Sequence, residues 1–336
     1  MQTSKLPLQG AARRRIGLWA LCGLLAAPSV AQAYVRSRAT SCKPVYWAQS
    51  CLYIQADSNY VKDLSGPEVE QAIQNSINAW QTHISPASFL QLKYLPAQGV
   101  KETTYKDGLQ VVKFRADQWC RPASDGAQQV CYDRSATAIT TVSYINKAGD
   151  PNDGQIVDAD IELNAVNNIF FNADKGKAPA DPRNPADLWN TLTHEMGHMQ
   201  GLDHTCRGPS EPTSTCTVDN TGAMRPLCSD VARLRLTNPA YMTIYDSTMY
   251  AVADPSETRK RVPQTDDVRG ITDSYPASND PKSCVLPGSA AKGGCAAAAP
   301  APGAAPISAL YVLGLGLSLG LTLAVLRRRR PSQRLA

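Results

Sequence analysis

The stretch THEMGHMQGLDH, residues 193–204, determines how the rest of the chain is interpreted. His194 and His198 are four residues apart, so on an α-helix their imidazoles lie about one turn apart on the same face. Two imidazoles placed in this way can share one Zn²⁺ ion, and Glu195 between them can act as the general base for water. His204 then provides a third nitrogen ligand. Three protein ligands with a fourth position left for water are typical of a catalytic zinc site, whereas a structural site is closed by four.

A helix with chance histidines is the competing interpretation, because short motifs also match unrelated sequences. Here Gly201 lies between His198 and His204, where it can end the helix and allow the chain to reverse, so that His204 can return to the other two histidines. Three of the four histidines of the chain also fall within one window of eleven residues. The combined pattern therefore favours a metal site.

The pattern His-Glu-x-x-His-x-x-Gly-x-x-His resembles the metzincin zinc endopeptidases. That family has a methionine turn beneath the metal, and Met249, 45 residues after His204, is the candidate here. An ordinary core methionine is the alternative. In the astacin and serralysin branches a tyrosine two residues after the methionine can bind the zinc, whereas this chain has Ala251 there. The pair Met249-Tyr250 instead resembles the matrixin branch.

The resemblance covers about residues 42–276 and implies a fold and an activity. The implied fold is an α+β zincin-like domain, in which a twisted mixed sheet with one antiparallel edge strand packs on helices. The implied activity is that of a zinc metalloendopeptidase with one catalytic Zn²⁺, which hydrolyses peptide bonds of proteins or peptides. A zinc-binding surface adhesin without catalysis is the alternative, although it would not need Glu195. We expect a monomer.

A run of alternating apolar and acidic residues, 154–164, is typical of a half-exposed edge strand. Its segment Asp158-Ala159-Asp160-Ile161 resembles the matrixin strand that flanks the cleft and pairs with the backbone of the substrate. The acidic side chains could also bind Ca²⁺ together with Asp150 and Asp153. Solvated charges that discourage edge-to-edge aggregation are an equally good explanation of the pattern.

Other segments indicate the remaining elements. Strands are predicted at 52–55, 89–94, 109–114 and 138–144. A helix is predicted after Ser65, with an apolar stripe formed by Val69, Ile73, Ile77 and Trp80. The zinc helix is predicted to begin with Asn184 as its cap, Pro185 at the first helical position and Asp187 in the first turn.

The net charge of +5 is misleading about possible partners. Nine of the 34 basic residues, and none of the 29 acidic ones, lie before residue 34 or after residue 295. The stretch between therefore has 25 basic and 29 acidic residues, a net charge of −4. This balance gives no indication of a nucleic-acid partner.

Residues 1–33 have the organisation of a secretory signal peptide. A basic Arg13-Arg14-Arg15 precedes a short apolar run, and Ala31-Gln32-Ala33 forms a small-x-small cleavage site before Tyr34. We therefore predict an exported protein, with the zinc metalloprotease domain at 34–280. A membrane anchor at this end is disfavoured, because the apolar run is too short.

Export makes disulfides the natural state of the cysteines in the predicted domain. These candidates are Cys42, Cys51, Cys120, Cys131, Cys206, Cys216, Cys228 and Cys284. We predict Cys42–Cys51 and Cys120–Cys131 as local pairs, each around a short polar loop.

The other four cysteines allow three pairings, among which we favour Cys206–Cys228 because it would close the loop after the zinc motif. Cysteine zinc ligands are the competing interpretation, but no Cys-x-x-Cys pair occurs. The long loop 205–246 is expected to shape the substrate pocket.

The C-terminal region changes in composition. Residues 281–306 are rich in Pro, Ala and Gly and predict a linker. Residues 307–326 lack charges and could span a membrane as a helix, and the basic tail 327–336 would stay cytoplasmic. The order of Cys295, spacer, apolar helix and arginines resembles the C-terminal sorting signals of myxobacterial surface proteins, in which the tail is removed at the cysteine. A plain C-terminal membrane anchor is the alternative.

Overall fold

Twelve strands and five α-helices make up the described part of the domain. The computed structural model describes residues 34–287, without 104–106, 123–127, 212 and 215. The strands are β1 (Val35–Arg36), β2 (Tyr46–Trp47), β3 (Cys51–Ala56), β4 (Gln91–Leu95), β5 (Gln110–Arg115), β6 (Cys120–Arg121), β7 (Val130–Cys131), β8 (Ala138–Tyr144), β9 (Gln155–Asn164), β10 (Asn168–Phe171), β11 (Asn184–Asp187) and β12 (Leu202–Asp203). The helices are α1 (Gly66–Ile84), α2 (Leu188–Met199), α3 (Cys228–Leu234), α4 (Pro239–Asp246) and α5 (Thr265–Ser274).

A six-stranded mixed sheet forms the framework. Its strands follow the order β2-β9-β5-β3-β4 with parallel pairing throughout, and β8 joins β9 as an antiparallel strand. Helices α1 and α2 pack together, and both contribute to the main hydrophobic core beside the sheet. The predicted α+β architecture, a mixed sheet with one antiparallel edge strand packed on helices, is confirmed.

The edge strand is β8, and the prediction that Asp158-Ala159-Asp160-Ile161 forms the edge is wrong. These residues lie in β9, where β8 covers them along one side and β5 reaches Ile161 from the other. The acidic side chains of Asp158 and Asp160 are each only 2% exposed. Burial, and next the neighbouring Asp158, raise the pKa of Asp160 to about 8. The alternation of apolar and acidic residues in β9 therefore reflects a face of the sheet that is polar but buried, not one that is exposed to solvent.

The core between the helices follows the predicted periodicity. The α1 residues Val69, Ile73, Ile77 and Trp80 are all buried, as are Leu188, Leu192 and Met196 of α2. The indole Nε1 of Trp80 donates to the main-chain oxygen of Thr193 at 2.9 Å, which ties α1 to the segment of α2 that carries the histidine motif.

Helix α2 begins later than the sequence predicts. Residues 184–187 form β11, which pairs in parallel with β10, so Asn184 and Pro185 are extended rather than helical. Asp187 is the cap, and its Oδ1 accepts the backbone N–H of Asn190 at 2.8 Å. The physical reason for the difference is strand pairing with β10, which the local cap signals do not reveal.

Four disulfides connect the eight cysteines of the described domain, and they pair Cys42 with Cys216, Cys51 with Cys284, Cys120 with Cys131, and Cys206 with Cys228. The predictions of Cys120–Cys131 and Cys206–Cys228 are confirmed, whereas that of Cys42–Cys51 is wrong. Cys51 lies in β3, and folding brings the end of the domain to it across 233 residues of sequence.

Several predicted segments lie outside the described residues: the signal peptide 1–33, Cys295, the apolar run 307–326, the basic tail 327–336 and all but the first residues of the linker 281–306. Within the described part of the chain, no helix combines the length and the apolar character needed to cross a membrane.

Candidate metal centre and its cleft

Three imidazoles converge beside the second half of α2. His194 and His198 project from this helix, and Gly201, with a φ of 94°, turns the chain so that His204 returns to them. The Nε2 atom of His204 lies 3.2 Å from that of His194 and 3.1 Å from that of His198. Two nitrogens at about 2.0–2.1 Å from a tetrahedral zinc ion would be about 3.3 Å apart, so this separation fits a shared ion.

The ring nitrogens of His194 and His198 that point away from this centre are held by main-chain carbonyls. Nδ1 of His194 lies 2.6 Å from the oxygen of Thr248, and Nδ1 of His198 lies 3.0 Å from that of Leu202. A carbonyl can only accept, so each Nδ1 carries the hydrogen and each Nε2 presents its lone pair. Both rings therefore have the tautomer that a metal requires.

The protonation state of the histidines also suits a metal. Burial lowers the pKa of His194 well below its ordinary value, and the positive charge of Lys260 acts in the same direction. Burial likewise lowers the pKa of His204, followed by the effects of His198 and Lys260. Since neutral imidazole is the form that binds metal ions, both residues are ready to act as ligands at neutral pH.

Glu195 lies in the same cleft and is held by the edge strand. Its side chain is buried, and its Oε2 accepts a hydrogen bond of 2.7 Å from Oγ1 of Thr140 in β8. Burial raises the pKa of the Glu195 carboxyl, whereas His198 and the bond from Thr140 act against this rise. A carboxyl with a raised pKa is better suited to take up and release a proton near neutral pH.

Met249 lies beneath the triad, where the methionine turn of the metzincins was expected. It is 1% exposed and packs against Gly197, the residue of α2 just before His198. Asp267, at the start of α5, accepts the backbone N–H groups of Thr248 at 2.6 Å and Met249 at 3.3 Å. Because Thr248 also accepts from His194, Asp267 holds the turn that orients this histidine.

The triad opens into a cleft of about 750 Å³. One wall comes from β8, through Ala138, Thr140 and Val142, and the opposite wall comes from residues 251–254. The described lining residues include none from Asp158 to Ile161, in agreement with their position inside the sheet. They also include none from 205–246, so the expectation that this loop shapes the pocket is wrong for its described part.

Lys260 fixes the wall opposite β8. Its side chain is buried, and its Nζ donates to the main-chain oxygens of Tyr250 at 2.6 Å and Val252 at 3.0 Å. Burial lowers the pKa of Lys260 to about 8. Lys260, Thr140 and Asp267 were not predicted from the sequence, since each reaches the site only through tertiary contacts. Asp267 carries a weak local signal, an acidic residue in the first turn of a helix.

A calcium site gains no support from the acidic residues. Among the described residues, the three histidines are the single group of three or more side chains that could hold a metal ion. Asp153 is engaged by Ser41 Oγ and by the backbone of Lys147, and Asp160 accepts the backbone N–H of Val111. Calcium binding therefore stays a prediction.

The mixed sheet, α2 and the histidine triad are consistent with a zincin-like metallopeptidase. Residues 123–247 match the family model of the reprolysin-like metallopeptidases of family M12. This segment includes the edge strand, Glu195 and all three histidines, and it ends two residues before Met249. A comparison with curated proteins finds no match. The family match and the triad together support a metallopeptidase of the metzincin type, and with it a zinc protease.

Proposed function

We propose that this chain is a zinc-dependent endopeptidase that hydrolyses peptide bonds within proteins. The observation that carries the proposal is the convergence of three Nε2 atoms, from His194, His198 and His204, in the same open cleft as the Glu195 carboxylate. Three nitrogen ligands leave one coordination position for chemistry, which distinguishes a catalytic from a structural zinc site.

The three histidines would hold a single ion, through the nitrogens whose lone pairs already face one another. When bound, zinc supplies Lewis-acid chemistry, because it polarises the scissile carbonyl and makes water more acidic. Glu195 then takes a proton from the attacking water and transfers it to the nitrogen of the leaving amine. Thr140 orients the carboxylate for both transfers through the hydrogen bond to Oε2.

The substrate would bind along β8 as an extended peptide. Among the described strands β8 pairs with β9 alone, so its other edge can pair with the main chain of a substrate. Residues of β8 line the cleft together with Glu195, which brings such a peptide close to the proposed base. Backbone pairing of this kind suits protein and peptide substrates of varied sequence.

Assignment to the matrixin branch is a finer part of the proposal. It rests on Met249-Tyr250 and on Ala251 in place of a tyrosine that could reach the metal. The side chain of Tyr250 is directed elsewhere, since its hydroxyl donates to the main-chain oxygen of Cys228 at 3.1 Å.

We also propose that the enzyme acts outside the cytoplasm. All eight cysteines of the described domain are paired, and disulfides persist in oxidising compartments. The predicted signal peptide would export the domain, and its C-terminus would tether it at the cell surface, either through Cys295 after removal of the tail or through the apolar run 307–326. The intact mass of surface protein tests this point: a chain ending near Cys295 supports processing, one extending to Ala336 supports a plain anchor, and protein found only in the medium contradicts both.

The activity is tested with a peptide library incubated with wild-type protein, with and without a chelator, and with Glu195→Gln. We expect chelator-sensitive cleavage between internal residues and a loss of about 10²–10⁴-fold in rate for Glu195→Gln, with zinc still bound. Cleavage by Glu195→Gln at the wild-type rate would contradict the assigned base. Stoichiometric zinc binding without any cleavage would favour the adhesin interpretation.

A further inference from the structure

The loop between His204 and the methionine turn is long, yet its described residues contribute nothing to the lining of the cleft. One of its side chains nevertheless reaches the metal centre. Arg225 is only 3% exposed, and its Nη1 donates to the main-chain oxygen of His204 at 3.0 Å. The loop therefore contacts the backbone of the third histidine.

The backbone of His204 is held on both sides. Its N–H donates to Oδ1 of Asp203 at 2.7 Å, and its carbonyl accepts from Arg225. Arg225 Nη1 also lies 3.5 Å from the same Asp203 oxygen. The Asp203 carboxylate and the Arg225 guanidinium each contact the backbone of His204, and they also contact each other. They therefore form one unit around His204.

Arg225 is itself fixed by its neighbours in the loop. Its Nη2 pairs with the carboxylate of Glu211, and its own carbonyl accepts from Nε of Arg207 at 3.2 Å. Cys206 and Cys228 close this segment as a disulfide. The guanidinium therefore has little freedom to leave its position.

The third ligand needs such support more than the other two. The rings of His194 and His198 are oriented by bonds from Nδ1 to carbonyls, whereas within the described residues the ring of His204 has no such bond. His204 also follows the two-residue strand β12, while the other two ligands belong to a helix. Its ring position consequently depends on its backbone.

We propose that Arg225 is a positioning residue for the third metal ligand. By holding the carbonyl of His204 it keeps the imidazole where Nε2 meets those of His194 and His198, and so raises the affinity of the site for zinc. This inference rests on the metal site of the proposed function but not on proteolysis.

The test is a double-mutant cycle on zinc binding by the full chain. The dissociation constant is measured by competition with a chelator for wild type, Arg225→Met, His204→Ala and the double variant. Loss of an outer-shell partner typically weakens metal binding by about 10–100-fold, and we expect this change for Arg225→Met. In the His204→Ala background we expect Arg225→Met to change the dissociation constant for zinc by less than about twofold. The reason is that Arg225 acts on zinc binding through the His204 side chain, which this background lacks.

Arg233→Met is the matched control, since Arg233 is exposed and its one ion pair among the described residues is with Asp230. It should leave zinc affinity unchanged. If Arg225→Met does not fold, as judged by circular dichroism, Arg225→Lys replaces it, and the expected weakening is smaller but again requires His204. Unchanged affinity, or equal weakening with and without His204, would overturn the inference. Wild type that binds zinc but cleaves no peptide would contradict the proposed protease and leave this cycle fully interpretable.

Discussion

Met249 is in direct contact with Gly197, because a Cβ atom added to Gly197 would collide with the sulfur of Met249. Gly197 stands in α2 immediately before His198, so the methionine occupies the space that any other residue at position 197 would fill. The same Cβ would also lie 3.2 Å from the ring of Trp80. This contact, rather than backbone flexibility, explains a glycine in the last turn of the metal-binding helix, where it otherwise weakens helical propensity.

Gly197→Ala should therefore destabilise the protein although alanine is the better helix former. Overpacking of a core typically costs about 1–3 kcal/mol, and we expect a loss of this size in chemical denaturation. Gly208→Ala is the control, because its added Cβ would meet no described atom within 4 Å apart from those of the adjoining residues. Combination with Met249→Ala should remove much of the penalty. Additive losses in the double variant would show that the two residues do not oppose each other.

Thr140→Val should alter the pH dependence of cleavage. The hydroxyl donates to the ionised form of Glu195 and lowers its pKa, so its removal raises that pKa. The protonated carboxyl cannot act as the base, and the acid limb of the profile of kcat/KM therefore moves to higher pH. Because the hydrogen bond stabilises the ionised carboxylate, the loss of rate should be largest on the acid side of the profile and should disappear at high pH.

Two measurements make this prediction specific to Glu195. Zinc content should be unchanged in Thr140→Val, because the threonine contacts the carboxylate and not a histidine. Ser143→Ala, in the same edge strand, should retain both the wild-type profile and the rate. An acid limb at the same pH in wild type and Thr140→Val would refute the role given to this hydroxyl.

Asp267→Asn should change how stability depends on pH. Burial raises the pKa of Asp267 to about 6 from an ordinary value of 3.8, so the folded protein keeps its proton after the unfolded chain has released it. Its contribution to stability is therefore fully present below pH 3.8 and is lost as the pH rises to about 6, a change of about 3 kcal/mol. Asparagine does not titrate and should lack this component.

The measurement is the free energy of unfolding of wild type and of Asp267→Asn at several pH values from about 3.5 to about 7. This range brackets the interval of about 4 to 6 in which the contribution of Asp267 should change. The advantage of wild type over the variant should decrease with rising pH and then level off. A constant difference would mean that Asp267 titrates normally despite its contacts with Thr248 and Met249.

Local patterns were sufficient to predict the metal centre. The local patterns are the spacing of the histidines, the glycine between His198 and His204, and the apolar stripe of α1. Each depends on residues within a few positions of one another, and the structure places them as expected. The methionine beneath the triad also lies where the family resemblance implied. Helix geometry relates sequence spacing to spatial proximity for His194, His198 and the apolar stripe, whereas His204 and Met249 were predicted from the motif and the family resemblance.

Contacts between distant segments were not accessible. The acidic residues of β9 alternate as on a solvated strand, yet Glu162 is completely buried by Arg115, Arg121 and Tyr132. No local signal reveals that charged partners from β5 and from the β6–β7 hairpin cover this face. Arg225 was missed for the same reason, because its partner His204 is 21 residues away.

The pairing of Cys51 with Cys284 gives the last prediction, since it replaces the local pair expected from sequence. Peptide mapping under non-reducing conditions should recover these two cysteines in one linked fragment, and Cys42 linked to Cys216. Removal of a native disulfide typically costs about 2–5 kcal/mol, so the double substitution Cys51→Ser with Cys284→Ser should lower the free energy of unfolding within this range. A linked fragment containing Cys42 and Cys51 would contradict the arrangement.

The pair Cys120–Cys131 is the internal reference, because it spans only 11 residues. With Cys42–Cys216 intact, the loop closed by Cys51–Cys284 follows a shorter path, 9 residues from Cys42 to Cys51 and 68 from Cys216 to Cys284, or 77 in all. Closure entropy grows with the logarithm of loop length. Removing the bridge that closes the longer loop should therefore lower the free energy of unfolding by about 1.7 kcal/mol more than removing the hairpin bridge. An equal cost for the two pairs would mean that native contacts, not chain entropy, determine what each bridge contributes.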